Sequence, residues 1–244
     1  NIDGLILDVR FNGGGSLGEA MEMIGIFIDE GPLMGEKERN GKLVYLKDPN
    51  RGTIYSGPMV LMVNGQSASA SELLAGALQD YNRAVIVGSN TFGKATMQQM
   101  FPMDTMQSNP IKAGSGNDMV KITTGKLYRL NGETAQLNGV KPAVVLPDTF
   151  DGIDYREKFM AFALAAEGGA RNNYYKPLPA LPISENSKKS AGRIATDPSF
   201  QEIQKIVVAT KSRRSKEETI SLKPEAFEQW YKQQEAEMDI MEGN

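Results

Sequence analysis

The sequence predicts an α/β fold with a largely parallel sheet, followed by a helical C-terminal extension. Three observations carry that reading. Residues 4–10 (GLILDVR), 58–63 (PMVLMV) and 83–88 (RAVIVG) are short apolar runs of the length and composition of buried strands. Helical patterns over 17–29 and 69–80 alternate with them. Turn-forming groups, Asn12 to Gly15 and Asn64-Gly65, sit at the junctions. Strands that alternate with helices are joined by crossovers, which makes the sheet parallel and places helices over both of its faces.

Taken in order, the first strand enters the loop Asn12-Gly13-Gly14-Gly15 and then the first helix, a strand, glycine turn and helix unit. A more polar stretch over 40–55 holds a strand at 42–46, and the second and third apolar strands bracket the helix of 69–80. Residues 119–130 read as strand-rich, and 144–147 as the last piece of the core. Beyond about Ala166 the character changes: Gly168-Gly169, Asn172-Asn173 and the proline-bearing stretch 177–182 mark a connection. The expected organisation is a core over 1–166 and a linker with helical extension over 167–244. In the extension Asp197-Pro198 is an N-cap and first-turn pair opening a helix to about Thr210, and 223–242 is a polar helix carrying Trp230. The cluster Lys211, Arg213, Arg214, Lys216 between them reads as a solvated loop.

Composition narrows the chemistry. With 244 residues, 40% of them hydrophobic, the chain can bury a substantial core, and a net charge of −3 gives no electrostatic ground for nucleic-acid binding. There is no His and no Cys, so neither a Ser-His-Asp triad nor a cysteine nucleophile, thiolate metal site or disulfide can be built from this chain. An activated nucleophile would need Lys, Asp, Glu or a terminal amine as its base. No apolar run reaches the length of about 18 residues that spans a bilayer, and no signal region follows Asn1; the expectation is a piece of a larger precursor with any targeting segment upstream.

The segment Asn64-Gly-Gln-Ser67-Ala-Ser69-Ala-Ser71-Glu72 places three serines at the mouth of a helix after a buried strand. Unpaired amides and the helix dipole make that a suitable place for a nucleophile and its oxyanion. Ser69-x-x-Glu72 equally matches a capping box with no catalytic role. Thr91-Phe92-Gly93-Lys94 follows the next strand, so Lys94 and Ser69 converge if both strands end on one edge of a parallel sheet. A lysine accepts a proton near neutrality only when burial disfavours its charged form. The glycine loop 13–15 lacks the Lys-Ser/Thr of a phosphate loop; it reads as a tight turn or as a second oxyanion donor beside the Ala70 amide.

The ordered set LILDVRFNGGGSLGEA, VNGQSASASELLAGALQDYNRAVIVG, NTFGKATMQ and LNGVKPAVVLPD resembles the C-terminal processing peptidases, or tail-specific proteases, of the S41 type. SAGRIATDPSFQEIQKIV, with ETISL beyond it, resembles the C-terminal extension of the tail-specific branch found in the bacterial periplasm. The resemblance implies a crotonase/ClpP-like core, a serine endopeptidase acting through a Ser/Lys dyad without metal or cofactor, and a periplasmic or envelope setting. It makes Ser69 the nucleophile, Lys94 the general base and Gln98 the residue that orients the lysine. The Ala70 amide and Gly15 or Gly14 correspond to the oxyanion hole. Protein substrates would be selected by their C-terminal tails through a PDZ-like domain that nothing in this chain resembles.

Three points stay open at this level. Asp80 matches an acidic residue sometimes counted as catalytic, yet eleven helical residues separate it from Ser69 by about 16 Å, which favours a structural role. Ala95 stands where the family usually has glycine, and Gln98 reaches Lys94 only if the backbone bends, since four straight-strand residues span about 13 Å. Met97, Met100, Met103 and Met106 recur every three residues; core packing or an exposed loop is favoured over a substrate-gripping cleft. The competing function is a non-catalytic peptide- or ligand-binding member of the same fold, separable by the Lys94 to Ser69 distance, near 3 Å for a protease.

Overall fold

The computed structural model describes residues 2–48, 50–102, 119–214 and 219–242. The chain forms two compact units, Asn1–Leu146 with Tyr155–Gly192, and Pro147–Asp154 with Arg193–Asn244.

In chain order the first unit contains β1 (Leu5–Asp8), α1 (Leu17–Gly25), β2 (Pro32–Glu38), β3 (Val44–Lys47), β4 (Met59–Val63), α2 (Ala70–Asp80), β5 (Val85–Gly88), β6 (Thr96–Pro102), β7 (Met119–Tyr128) and β8 (Val144–Val145). Strands β1, β4, β5 and β8 form the expected parallel sheet, in the order β1-β4-β5-β8. Its register pairs Leu7 with Leu61 and Leu61 with Ile86, and Leu61 and Ile86 are fully buried with Ile24 of α1 and Leu78 of α2. Each such side chain contributes about 1.5–3 kcal/mol through burial. Cover is uneven, because on β1 Ile6 is 68% exposed while Val9, just past the strand, is buried.

A second, antiparallel sheet runs β3-β2-β7-β6. Two of its strands escape a sequence reading. Strand β2 carries Pro32, Gly35 and three charged residues with no β-branched side chain, and its pairing with β7, Gly35 to Tyr128 through Glu38 to Gly125, supplies what local propensity lacks. Strand β6 corrects the reading of the methionine series as core or loop. Met97 and Met100 lie on a strand paired with β7 through the register Met97 to Gly125 and Met100 to Lys121. Met103 and Met106 lie outside the described residues.

The end of α2 is tied to the end of β7 by charge. Arg129 donates from Nη2 to Asp80 Oδ1 at 2.5 Å and from Nε to Oδ2 at 3.3 Å, and the Leu130 amide donates to Oδ2 at 3.1 Å. The Asp80 side chain is 4% exposed; burial raises its pKa and the Arg129 charge opposes the rise. These partners account for Asp80 structurally.

The second unit is helical. Asp197 caps α4 (Pro198–Arg214) as expected, its Oδ1 accepting from the Ser199 and Phe200 amides at 2.8 and 3.3 Å. A short 3-10 turn, Thr149–Gly152, packs on α4 so closely that a methyl at Gly152 would lie 3.0 Å from Thr210 Cβ. Lys211, Arg213 and Arg214 form the last turn of α4 rather than a loop, where cations complement the helix dipole. Lys216 lies outside the described residues. Helix α5 (Pro224–Glu242) carries Phe227 and Trp230 with ring centroids 5.7 Å apart. Helix α3 (Ile183–Thr196) precedes α4, and its residues 183–192 belong to the first unit. No described helix is long and apolar enough to cross a membrane.

Asp80→Ala leaves the part-buried Arg129 guanidinium with the more distant Glu133 carboxylate and the Leu130 amide without its acceptor; its expected cost is about 1–3 kcal/mol of unfolding free energy, read from the midpoint and slope of a urea titration.

Candidate active site

Parallel pairing of β1, β4 and β5 brings the segments after Asp8, Val63 and Gly88 to one edge of the sheet. The three serines of the central segment then separate by role. Ser67 is fully buried, donating to the Val9 carbonyl at 2.7 Å and accepting from the Asn64 amide at 3.0 Å. Ser71 donates to the Asn12 carbonyl at 3.0 Å. Ser69 lines a cavity of about 470 Å³. Its backbone sits at φ 56°, ψ −114°, a sparsely populated conformation for a residue with a side chain, which costs of order 1–3 kcal/mol. Strain of that kind persists only where the surroundings impose it.

The glycine loop is one of those surroundings. Asn12 holds it to the helix mouth, its carbonyl accepting from the Ala68 amide at 3.0 Å as well as from Ser71, while its Oδ1 accepts from the Gly14 amide at 2.9 Å. Gly14 adopts φ +92°, and a Cβ there would lie 2.6 Å from the Ala68 carbonyl oxygen and 2.7 Å from the Ala70 nitrogen. Gly15 differs on every count: among the described residues no heavy atom beyond its chain neighbours lies within 4 Å of its notional Cβ, its φ is not positive, and no acceptor takes its amide. The Ala70 amide likewise has no acceptor among the described residues.

Lys94 reaches the same cavity from the turn after β5. Its Nζ donates to Gln98 Oε1 at 2.8 Å and to the Thr96 carbonyl at 3.3 Å. Gln98 is within reach because Lys94 precedes β6 and a register shift interrupts the β6–β7 ladder between Met97 and Gln98. The Gln98 amide faces Lys94 with its oxygen, since its Nε2 donates to Thr96 Oγ1 at 2.8 Å and Thr123 Oγ1 at 3.4 Å. Burial, reinforced by the charge of Lys121, holds the Lys94 pKa below the ordinary lysine value, while Glu157 and Glu72 oppose the shift. Ala95 is buried without a positive φ, so its methyl creates no backbone strain. No hydrogen bond joins Lys94 Nζ directly to Ser69 Oγ, in contrast to the 3 Å separation expected of a protease; such bonds often tighten only in the Michaelis complex.

A model of peptidase family S41 matches residues 1–146. The chain belongs to this family. It is 32% identical over 222 residues to the tail-specific protease of Haemophilus influenzae, a match covering 88% of this chain and 31% of that protein. With the carboxy-terminal-processing protease of Bartonella bacilliformis it shares 33% identity over 158 residues, 63% of this chain and 34% of that one. Among solved structures, the photosystem II D1 C-terminal processing protease superposes with a TM-score of 0.50 at 32% identity, covering 59% of this chain and 35% of that one. The chain thus spans about a third of the length of the curated relatives it matches. The resemblance read from the motifs is borne out at the level of the family.

In this S41 family member Ser69, Ala70, Lys94, Gln98, Gly14 and Gly15 all border one cavity, and Asp80 is not among its lining residues. Sequence reasoning passed over Thr96, Thr123 and Lys121. Alternation on β7 was the available signal for the last two: Thr123 pairs with Gln98, and Lys121, two residues away, projects from the same face.

The adjacent glycines are expected to differ sharply on substitution. Gly14→Ala strains φ and collides with the backbone of the helix mouth, lowering stability by about 1–3 kcal/mol, whereas Gly15→Ala shifts it by less than about 0.5 kcal/mol. Thermal unfolding of the two variants side by side is the measurement; equal losses would contradict the loop geometry.

Proposed function

We propose that this chain is the catalytic core, with a C-terminal extension, of a serine endopeptidase that works through a Ser69/Lys94 dyad. The observation that carries the reading is a strained serine at a helix mouth sharing one cavity with a lysine whose amine is held by two oxygen acceptors. A neutral amine has two N–H groups and one lone pair. Gln98 Oε1 and the Thr96 carbonyl occupy the two donors, which leaves the lone pair as the site that takes a proton.

In the proposed reaction Lys94 accepts the Ser69 hydroxyl proton as Oγ bonds to the scissile carbonyl carbon. The amides of Ala70 and Gly15 bind the resulting oxyanion; Gly14, with its amide taken by Asn12, serves to bring the two backbones together. Collapse of the tetrahedral intermediate breaks the C–N bond, and the Lys94 ammonium protonates the departing amine. Water, deprotonated by Lys94, then attacks the acyl-enzyme; the new tetrahedral intermediate collapses as the proton returns to Ser69 Oγ, and the carboxylic acid released gives its remaining proton to solvent. Gln98 orients the lysine throughout. Neither metal nor cofactor enters the cycle.

By resemblance to the tail-specific proteases, the substrates are proteins chosen by their C-terminal tails, with capture assigned to a PDZ-like module outside this chain and action in the periplasm or cell envelope. The proposed catalytic core, 1–166, and extension, 167–244, differ from the compact units, since residues 167–192 fall with the first of them.

Ser69→Ala and Lys94→Ala are each expected to lower peptide cleavage by at least about 10⁴-fold while the circular dichroism spectrum is unchanged, and EDTA is expected to have no effect. An active Ser69→Ala protein refutes the dyad; peptide bound tightly but left intact by the unmodified protein would favour a non-catalytic binding member.

The pH dependence follows from the lysine. Only the neutral amine accepts the proton, so kcat/KM rises with pH, and its midpoint lies below the ordinary lysine value because burial and Lys121 lower the Lys94 pKa. A rate profile from pH 5 to 10 checks the sign; activity that falls across this range contradicts Lys94 as base.

A further inference from the structure

One buried carboxylate in the first unit is unused by the reaction described above. Glu72, on the first turn of α2, is 2% exposed and accepts four hydrogen bonds from two different segments. Its Oε2 accepts from the Ser69 amide at 2.9 Å and from the Lys94 amide at 2.8 Å. Its Oε1 accepts from the Gly93 amide at 2.7 Å and from Thr91 Oγ1 at 2.5 Å. The capping box anticipated from the sequence accounts for the first of these bonds only. The other three leave the helix altogether and terminate on the turn that carries the lysine.

We infer that Glu72 is a positioning residue, a carboxylate clip whose single oxygen Oε2 bonds the backbone amides of both the nucleophile and its base and so fixes their relative placement. The inference rests on the Ser69/Lys94 reading for its catalytic consequence, and on geometry alone for the clip. All four donors are fixed. Three are backbone amides, and the Thr91 hydroxyl already accepts from the Val140 amide at 2.6 Å, so its proton is directed elsewhere, to Glu72. An ionised carboxylate is the one side-chain group of this size that offers acceptors alone on both of its branches. Glutamine would turn an N–H₂ group toward two of the donors, and one strut of the clip would fail. The clip also accounts for the strain at Ser69. The Gly14 backbone lies so close to that turn on the loop side that it leaves no room for a Cβ, and Glu72 holds the Ser69 amide from the helix side.

Burial raises the Glu72 pKa to about 7 against the pull of its four donors. Its charge in turn raises the Lys94 pKa, as does that of Glu157, while Lys121 lowers it. Replacement by glutamine therefore removes a carboxylate ionisation near neutrality and a negative charge beside Lys94. Both changes move the acidic limb of the rate profile to lower pH. A purely structural defect would lower the rate without displacing that limb.

The test uses the chain itself, unmodified and as Glu72→Gln and Glu72→Asp, with a fluorogenic peptide and a serine-directed fluorophosphonate as probes. Hydrogen exchange resolved at the Ser69, Gly93 and Lys94 amides reads the clip without reference to activity. Faster exchange in Glu72→Gln is expected at the amides its N–H₂ branch faces, either Gly93 or Ser69 together with Lys94, while α2 amides beyond its first turn stay protected. Unchanged exchange at all three amides overturns the clip. On the kinetic side, kcat falls by about 10²-fold, KM stays within a few-fold and the acidic limb of kcat/KM shifts downward. Full kcat, or a loss that follows the unfolded fraction, overturns the positioning role. Should the glutamine variant unfold, Glu72→Asp decides the matter: it keeps the charge but is one methylene too short to bridge the two segments, so it should lose kcat with KM preserved, and wild-type kcat there overturns the inference. Failure of the fluorophosphonate to label Ser69 in the unmodified chain counts against the dyad, and the exchange arm still decides the clip.

Discussion

The parallel register of β1, β4 and β5 is the constraint on which the site depends. A strand pair in that register ends its members on the same edge, so three loops separated by dozens of residues in sequence are delivered side by side. Locally the loops are then held by hydrogen bonds in which backbone groups meet short polar side chains. Asn12 lends one carbonyl to the Ala68 amide and the Ser71 hydroxyl, and Ser67 ties β4's exit both to Val9 and, through its carbonyl, to the Phe92 amide at 3.0 Å. Because the Ser67 bond is buried and the Ser71 bond part-buried, losing either would leave a polar group poorly paired, which is the physical reason the loops hold one arrangement.

The electrostatics follow from that packing. A lysine in water is protonated at neutral pH and has no lone pair to offer, and nothing intrinsic to Lys94 alters this. What alters it is its half-buried placement, with Lys121 on the neighbouring strand discouraging a second positive charge. The acidic residues Glu72 and Glu157 pull the other way, so the lysine is tuned by opposing contributions rather than by burial alone.

The sequence made the parallel sheet legible because its strands are continuous apolar runs, and it made Ser69, Lys94 and the glycine loop legible because each falls just beyond such a run. Other features were hidden for identifiable reasons. Strand β2 has the composition of a loop and becomes a strand only through pairing with β7, nearly ninety positions away. The bend that lets Gln98 meet Lys94 is a ladder irregularity, a property of two strands that neither one's composition records. Glu72 was visible as a helix cap, but three of its four partners come from the following loop, so its reach across the cavity edge was not. The division of labour between Gly14 and Gly15 likewise depends on which amide Asn12 captures, a choice decided in three dimensions.

The chain path through the two units has its own consequence. Residues Pro147–Asp154 belong with Arg193–Asn244, while the intervening Tyr155–Gly192 returns to the first unit. The helical unit is therefore interleaved with the sheet-bearing one, and no single cut of the polypeptide releases either intact. Removing everything after α3 would leave the turn at Thr149–Gly152 without the α4 surface it packs on, and joining its two parts closes a loop whose entropic cost grows only logarithmically with length. An excision that respects this topology would take out both pieces and rejoin Leu146 to Tyr155.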